Sequence, residues 1–149
     1  MKSLQDILQS LSGRLIVSCQ APDDDPFHDP DSMARFAVAA ARGGAAGIRA
    51  NSPEDVSAIA KAVPLPIIGI QKRVMNDGKI LITPSFDDAR TLAAAGASII
   101  ALDCTARGRR YGALERLRQS RAARIPVMAD TATLEEAVTA QEAGADLVA

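Results

Sequence analysis

One sequence pattern recurs along the chain and constrains its fold more than any other feature. Each copy joins the end of a predicted helix to a glycine, a small residue and an apolar strand, at residues 41–49, 94–100 and 142–148. A second pattern, in which a proline opens an apolar run, lies between them at residues 65–68 and 125–128. Because a helix connects successive strands, the repeats predict a parallel α/β protein. Two alternating unit types are typical of a (β/α)8 barrel, in which alternate strands fill successive interior layers.

Predicted strands and helices alternate along the whole sequence. Short apolar runs predict strands at residues 14–19, 46–50, 66–72, 98–103, 125–130 and 147–149. Cap residues and helical spacing predict helices at residues 3–11, 31–42, 52–63, 85–95, 114–122 and from 133 onward. Residues 74–84 are predicted to be turns, and residues 106–110 a basic loop.

These elements predict a single α/β barrel domain over residues 1–149, incomplete, with about six βα units. A doubly wound parallel sheet is the alternative. It is the weaker one, because no glycine-rich dinucleotide fingerprint follows the first strand.

Composition and charge argue against several classes of function. The net charge is −1, so neither nucleic acid nor an anionic membrane is an expected partner. No apolar run approaches the ~20 residues that span a bilayer, and the N-terminus lacks a signal-peptide pattern. Cys19 and Cys104 are far apart and lack metal-ligand spacing, which fits a reducing cytosol. We therefore predict a cytoplasmic protein with no metal site.

Lys72 follows the apolar run that begins at Pro66. Ile68, Ile70 and Lys72 share one parity, so their side chains are expected on the same face of a buried strand. Burying an ammonium group is unfavourable unless it has partners, so a lysine there is a candidate general base or Schiff-base nucleophile. The alternative is a surface pair, Lys72 and Arg73, that begins the next loop.

A polar residue stands at the carboxyl end of each complete predicted strand: Gln20, Arg49, Lys72, Asp103 and Asp130. In a barrel these ends converge on the active-site face, so we predict a polar site for an oxygen-rich anionic substrate. Arg49 suits carbonyl or phosphate oxygens, and Gln20 suits a hydroxyl or an amide. Asp130 suits sugar hydroxyls or Lys72 itself. Asp103 serves either the site or nearby backbone, and the sequence does not favour one role.

Three other groups of residues are weaker candidates. His28 lies in an acidic stretch, where a solvated loop is favoured over a metal site because the residues lack ligand spacing. Cys19 and Cys104 flank the proposed site, but buried packing is favoured over nucleophilic chemistry because no histidine accompanies them. The basic residues at 107–110 form either a phosphate clamp or an exposed loop.

Six short motifs occur in a fixed order, at residues 15–20, 47–51, 69–73, 82–84, 100–103 and 128–130. Each motif alone is weak, but together they resemble the N-acylglucosamine-6-phosphate 2-epimerases, also called N-acetylmannosamine-6-phosphate epimerases, over essentially the whole chain. The resemblance implies a (β/α)8 barrel of the ribulose-phosphate-binding type. It also implies interconversion of N-acetylmannosamine 6-phosphate and N-acetylglucosamine 6-phosphate in sialic acid catabolism, with no metal or nucleotide cofactor.

The resemblance implies roles for individual residues as well. Lys72 matches the catalytic lysine, and Gln20, Arg49 and Asp130 match substrate-binding positions. The implied chemistry removes the C2 proton beside the aldehyde of the open-chain sugar and returns it to the other face, which needs a base, an acid and stabilisation of the enolate oxygen. Arg49 is placed to supply that stabilisation. A phosphosugar is the expected partner, and a homodimer is one open possibility for the assembly.

Two parts of the family pattern have no counterpart in residues 1–149. They are a seventh strand, whose Ala-Glu-Gly motif carries a catalytic glutamate, and an eighth strand, whose glycine-rich turn helps to bind phosphate. We therefore expect residues 1–149 alone to expose sheet edges, to be poorly soluble and to lack epimerase activity. Two alternatives to the epimerase stay open: another sugar-phosphate isomerase or Schiff-base aldolase on the same barrel, and a non-catalytic α/β fragment.

Overall fold

Helices and strands alternate along residues 3–149, which is the part of the chain that the computed structural model describes. The strands are β1 (Ile16–Cys19), β2 (Gly47–Asn51), β3 (Ile67–Ile70), β4 (Lys72–Val74), β5 (Ile80–Ile82), β6 (Ile99–Asp103), β7 (Val127–Asp130) and β8 (Leu147–Val148). The helices are α1 (Leu4–Leu11), α2 (Pro30–Arg42), α3 (Pro53–Ala62), α4 (Phe86–Ala95), α5 (Ala106–Arg110), α6 (Ala113–Ala122) and α7 (Leu134–Glu142).

Six of the strands form one parallel sheet, in the order β1-β2-β3-β6-β7-β8, and β4 and β5 form a separate antiparallel hairpin. Each crossover between parallel strands contains at least one helix. The prediction of a parallel α/β sheet with about six βα units is therefore confirmed. Within residues 3–149, β1 pairs only with β2 and β8 pairs only with β7, so the described sheet has two open edges.

Aliphatic side chains bury both faces of this sheet. The outer face packs against the helices through strand residues such as Ile48, Ala50, Leu102 and Ala129. The inner face forms a second cluster, which includes Ile68, Ile70, Ile99, Ala101 and Met128. Helix α1 covers the amino end of the inner cluster, where a Cβ on Gly47 would lie only 2.6 Å from a methyl group of Leu11. The carboxyl ends of the strands are left for polar groups.

Helix α2 begins earlier than the sequence analysis predicts. Asp29 caps it, ahead of the predicted start at residue 31, and the Asp29 carboxylate accepts a hydrogen bond from the backbone N–H of Ser32 at 2.8 Å. Pro30 then occupies the first helical position, where its missing N–H has no consequence. The acidic loop therefore ends directly in the helix.

Residues 106–110, predicted to be a loop, form the short helix α5. The hydroxyl of Thr105 caps it by accepting from the backbone N–H of Gly108 at 3.3 Å. Gly108 packs directly on the end of β6, because a Cβ at this position would lie 1.9 Å from the backbone oxygen of Asp103. The loop prediction was wrong because this contact with β6, rather than local propensity, holds the helix in place.

Residues 74–84, predicted to be turns only, contain one strand of a β-hairpin and the turn before it. Lys72 lies opposite Ile82, and Val74 lies opposite Ile80. Gly78 has φ +74 and its N–H donates to the carbonyl of Met75 at 2.9 Å, which closes the predicted turn. The flanking strands are three residues each, too short for their alternation to be recognised in the sequence.

The Gly108 contact gives a stability prediction for the complete gene product. Gly108→Ala is expected to destabilise the fold by roughly 2 kcal/mol or more, because the new methyl group would overlap backbone that cannot move away cheaply. Gly43→Ala is the matched control, since its new methyl would meet its nearest atoms at 3.4 Å. Urea unfolding measures both, and equal midpoints for the two variants would contradict the prediction.

Candidate active site

A cleft of about 910 Å³ opens at the carboxyl ends of the first three strands. The loop after β1, the start of α3 and the hairpin form its walls. Polar side chains from each of these elements line it, among them Gln20, Asn51, Asp55 and Lys72. The structure thus brings two of the predicted site residues, Gln20 and Lys72, to one cleft.

Arg49 and Asp130 form an ion pair on the inner face of the sheet. Arg49 lies in β2 and Asp130 ends β7, so the pair crosses the face over β3 and β6. Nη1 of Arg49 lies 3.1 Å from Oδ1 of Asp130, and Nη2 makes a still closer contact with Oδ2. The two side chains are 22% and 28% exposed, so a ligand can reach them. This two-point contact fixes the plane of the guanidinium, which donates to no other residue in the described part of the chain.

Lys72 does not end a buried strand, contrary to the sequence prediction. β3 stops at Ile70, and Lys72 begins the hairpin with an exposed side chain. Backbone contacts explain the change: the N–H of Thr83 donates to the Gln71 carbonyl at 2.6 Å, and the N–H of Lys72 donates to Oδ1 of Asn51 at 2.8 Å. Within residues 3–149 the Lys72 ammonium has no hydrogen-bond or ion-pair partner, so a ligand in the cleft can engage it.

An ion pair anchors the base of the hairpin that carries Lys72. Arg73 donates from Nε and Nη2 to Oδ1 of Asp88, at 3.0 and 2.5 Å. Asp88 is 6% exposed and also accepts from the hydroxyl and backbone N–H of Ser85 at the start of α4. Burial alone would raise the pKa of the Asp88 carboxyl, but the hydrogen bonds from Arg73 and Ser85 outweigh burial and lower the pKa. The hairpin base is therefore tied to α4.

Arg107 of α5 holds the tip of the same hairpin. Its Nη2 lies 2.9 Å from Oδ1 of Asp77, and its Nη1 donates to the carbonyl of Ile80 at 2.9 Å. The guanidinium also lies 5.4 Å from the centre of the Tyr111 ring. The sequence left two interpretations of this basic segment, a phosphate clamp and an exposed loop. Neither describes Arg107, because its side chain binds the hairpin.

Gln20 and Asp103 both contact their own neighbourhood. Nε2 of Gln20 donates to the hydroxyl of Ser18 at 2.8 Å, which leaves the amide at the cleft wall. Oδ1 of Asp103 accepts from the N–H of Thr105 at 3.1 Å and from its hydroxyl at 2.6 Å. Of the two roles predicted for Asp103, the hydrogen bond to nearby backbone is present in the structure. A role in substrate binding stays a prediction.

Two residues that shape the site carried little signal in the sequence. Asn51 shares the parity of Arg49 and ends β2, so strand alternation could have placed it with the site residues. Thr83 is fully buried with φ 46, and its hydroxyl accepts from the N–H of Gln71 at 3.2 Å. No local pattern marks Thr83, because its role depends on the return of the hairpin to β3.

The two cysteines lie in the packed interior, and the histidine lies in a loop. Cys19 and Cys104 are free and buried, and burial raises the pKa of the Cys104 thiol to about 11. Nδ1 of His28 lies 3.0 Å from the carbonyl of Ala21, within the loop. In the described part of the chain, no group of three or more histidine, cysteine or acidic residues is arranged to hold a metal ion, and no helix is long and apolar enough to cross a membrane.

The family model NanE, described as N-acetylmannosamine-6-phosphate epimerase, matches residues 33–149. The chain belongs to this family. A relative in Synechococcus elongatus, named N-acetylmannosamine-6-phosphate 2-epimerase, is 49% identical over 150 residues, which cover 97% of this chain and 64% of the relative. A relative of the same name in an Enterobacter species is 47% identical over 97% of this chain and 63% of its own length. The chain therefore spans somewhat less than two thirds of these relatives.

Solved structures agree with the family assignment. The N-acetylmannosamine-6-phosphate 2-epimerase from Clostridium perfringens superposes with a TM-score of 0.88 and 38% identity, covering 99% of this chain and 66% of that protein. A deoxyribose-phosphate aldolase structure from Coccidioides immitis gives a TM-score of 0.63 at 16% identity, which shows a shared barrel-type fold alone. The predicted barrel class is confirmed, and the family suggested by the sequence motifs is confirmed with it.

The Asp88 anchor predicts a pH-dependent stability. Asp88→Asn is expected to destabilise the complete gene product at pH 7 by roughly 1–3 kcal/mol, because a charge-assisted bond to Arg73 is lost. The pKa of Asp88 is lowered in the folded state, so its stabilisation is complete above the unfolded pKa of about 3.9 and disappears as the pH falls through the folded value. Urea unfolding between about pH 7 and pH 3 measures the difference.

Asp87→Asn is the matched control for this experiment. Its side chain is 86% exposed on the same turn of α4, so the same chemical change is expected to alter stability little at any pH. A difference between wild type and Asp88→Asn that stayed constant from pH 7 to pH 3 would contradict the role assigned to the carboxylate.

Proposed function

We propose that the complete gene product interconverts N-acetylmannosamine 6-phosphate and N-acetylglucosamine 6-phosphate by proton transfer at C2. Membership of the epimerase family supports the reaction class. The observation that carries the proposal to individual residues is the two-point ion pair of Arg49 and Asp130 on the inner face of the sheet. Lys72 lies opposite Ile82, which packs against the inner cluster, so Lys72 looks over the same face. A cation held in one orientation, on the face that a lysine without a partner also looks over, suits removal of a proton next to a carbonyl group.

Each residue then has a specific task. Lys72, in its unprotonated form, removes the C2 proton of the open-chain sugar, where the neighbouring aldehyde makes that proton acidic. Arg49 stabilises the negative charge that develops on the aldehyde oxygen, and Asp130 holds its guanidinium in place before the substrate arrives. Gln20 offers an amide to a hydroxyl or to the acylamino group.

Return of the proton to the opposite face of C2 needs a second acid–base group. The family resemblance assigns that group to a glutamate on a seventh strand, which has no counterpart in residues 1–149; the match to this chain covers 64% of the first relative. The proposal therefore concerns the complete gene product, and for the described six strands it assigns binding and the first proton transfer. No metal or nucleotide takes part in the reaction as proposed.

The proposal also covers the partner and the cellular location of the protein. The proposed partner is a small phosphosugar, and the proposed location is the cytoplasm, which fits two buried cysteines that form no disulfide. A homodimer stays a prediction, which light-scattering chromatography of the complete gene product checks.

A Schiff-base aldolase or isomerase on the same barrel is the second candidate. The observation that favours it is the Lys72 ammonium, which is exposed and has no partner within residues 3–149. Borohydride treatment in the presence of substrate separates the two mechanisms. A covalent adduct at Lys72 would support the aldolase-type reaction and rule out simple proton transfer.

Lys72→Met is expected to lower exchange of the C2 proton with deuterated water by ~10²–10⁴-fold, because an essential acid–base group is removed. Proton NMR of the sugar phosphate measures the exchange, and circular dichroism checks that the fold is unchanged. Lys61→Met is the control, since Lys61 is an exposed lysine in the last turn of α3, outside the cleft. Near-normal exchange in Lys72→Met would remove this lysine from the mechanism.

Arg49→Lys is expected to lose most of the activity although it keeps the charge. An ammonium cannot make the two-point contact with Asp130, so the cation is no longer held in one orientation. Arg90→Lys, at an arginine side chain that is 65% exposed on α4, serves as the control. Steady-state rates measure the effect, and equal kcat/KM values for Arg49→Lys and wild type would show that charge alone matters there.

A further inference from the structure

The two faces of the β4–β5 hairpin differ in chemistry. Alternation along the paired strands puts Lys72, Val74, Ile80 and Ile82 on one face, and Arg73 and Leu81 on the other. Leu81 is fully buried and Arg73 binds Asp88 of α4, so this second face lies against the body of the protein. Ile82 packs against the inner cluster of the sheet, so the face of Lys72 looks over the barrel interior.

Val74 and Ile80 form an exposed apolar pair next to Lys72 on this face. They lie directly opposite each other in the hairpin, and they are 71% and 56% exposed. Both line the cleft that also contains Lys72 and Gln20. Val74 follows Lys72 by two residues, which along a strand is about 7 Å.

Packing within the described residues does not account for this pair. Single exposed aliphatic residues are common, but an adjacent pair inside a cleft with polar walls would gain free energy from an apolar ligand group. Arg107 donates a hydrogen bond to the carbonyl of Ile80, and Arg73 anchors the base of the hairpin. The apolar pair therefore keeps a fixed position relative to Lys72. A fixed apolar surface next to a reactive amine is suited to selecting a substituent on the reacting carbon.

We infer that Val74 and Ile80 form the subsite for the acyl chain of the substrate. The inference rests on the proposed function: in N-acetylmannosamine 6-phosphate, the acylamino group is attached to C2, the carbon from which Lys72 takes the proton. A base that reaches C2 must therefore have the acyl group close by, and the apolar surface on its own strand face is this pair. The subsite selects for an aliphatic N-acyl group and against a polar one.

The test compares three substrates with the complete gene product: the N-acetyl, N-propanoyl and N-glycolyl forms of mannosamine 6-phosphate. For the wild type, kcat/KM is expected to be about fourfold higher for the propanoyl than for the acetyl form, the effect of one further buried methylene. The glycolyl form is expected to be several-fold poorer than the acetyl form, because its hydroxyl would be buried without a partner. Val74→Thr and Ile80→Thr should reduce both preferences toward unity, because each places a hydroxyl in the subsite.

Val138→Thr is the matched control, because Val138 is 45% exposed on α7 and does not line the cleft. Its substrate preferences should equal those of the wild type. Preferences that are the same in the wild type and in both cleft variants would overturn the subsite while the proposed reaction stands, and this is also the result expected if another protein segment covers the pair. A wild type that exchanges the C2 proton of none of the sugars would instead overturn the proposed function. Calorimetric titration of the same three sugar phosphates would then decide the subsite by their relative affinities.

Discussion

The burial of both faces of one parallel sheet is the constraint on which the rest of this structure depends. The outer face packs against helices, and on the inner face the side chains of different strands pack against one another. Both faces therefore need compact aliphatic side chains. With the apolar residues committed to the faces and with α1 covering the amino end, polar groups are tolerated only at the carboxyl end of the strands. The ion pair of Arg49 and Asp130 occupies that end, and the cleft opens next to it.

The proposed base sits on a hairpin rather than on the sheet itself, and this changes how its position is maintained. Lys72 at the end of a buried strand would be held by the sheet. On the hairpin, its position depends on Asn51 at the backbone and on two arginine contacts, one with Asp88 and one with Asp77. These contacts come from β2, α4 and α5, so three separate elements act on one side chain.

The two open edges of the described sheet limit what these residues can do alone. The free edges of β1 and β8 have no strand partner within residues 3–149. Leu15, directly before β1, and Val148, within β8, are 63% and 47% exposed. Unpaired strand edges with exposed aliphatic residues favour association with other chains. In a closed barrel these same edges pair with further strands, and about one third of the length of the relatives lies outside the region that they share with this chain.

The sequence by itself determined the parallel α/β class, the order of the main strands and helices, and the polar residues at the strand ends. Those features depend on local periodicity and on caps, as in the repeats whose helices stop at Gly44, Gly96 and Gly144. Tertiary structure alone decided the partner of Asp130, the exposure of Lys72 and the helical state of residues 106–110. The first two depend on contacts between distant segments: Arg49 reaches Asp130 across two strands, and Thr83 returns to Gln71. The third depends on how α5 packs on the end of β6, where Gly108 contacts Asp103. Local sequence patterns carry no information about such contacts, because their energies arise only once the sheet brings the segments together.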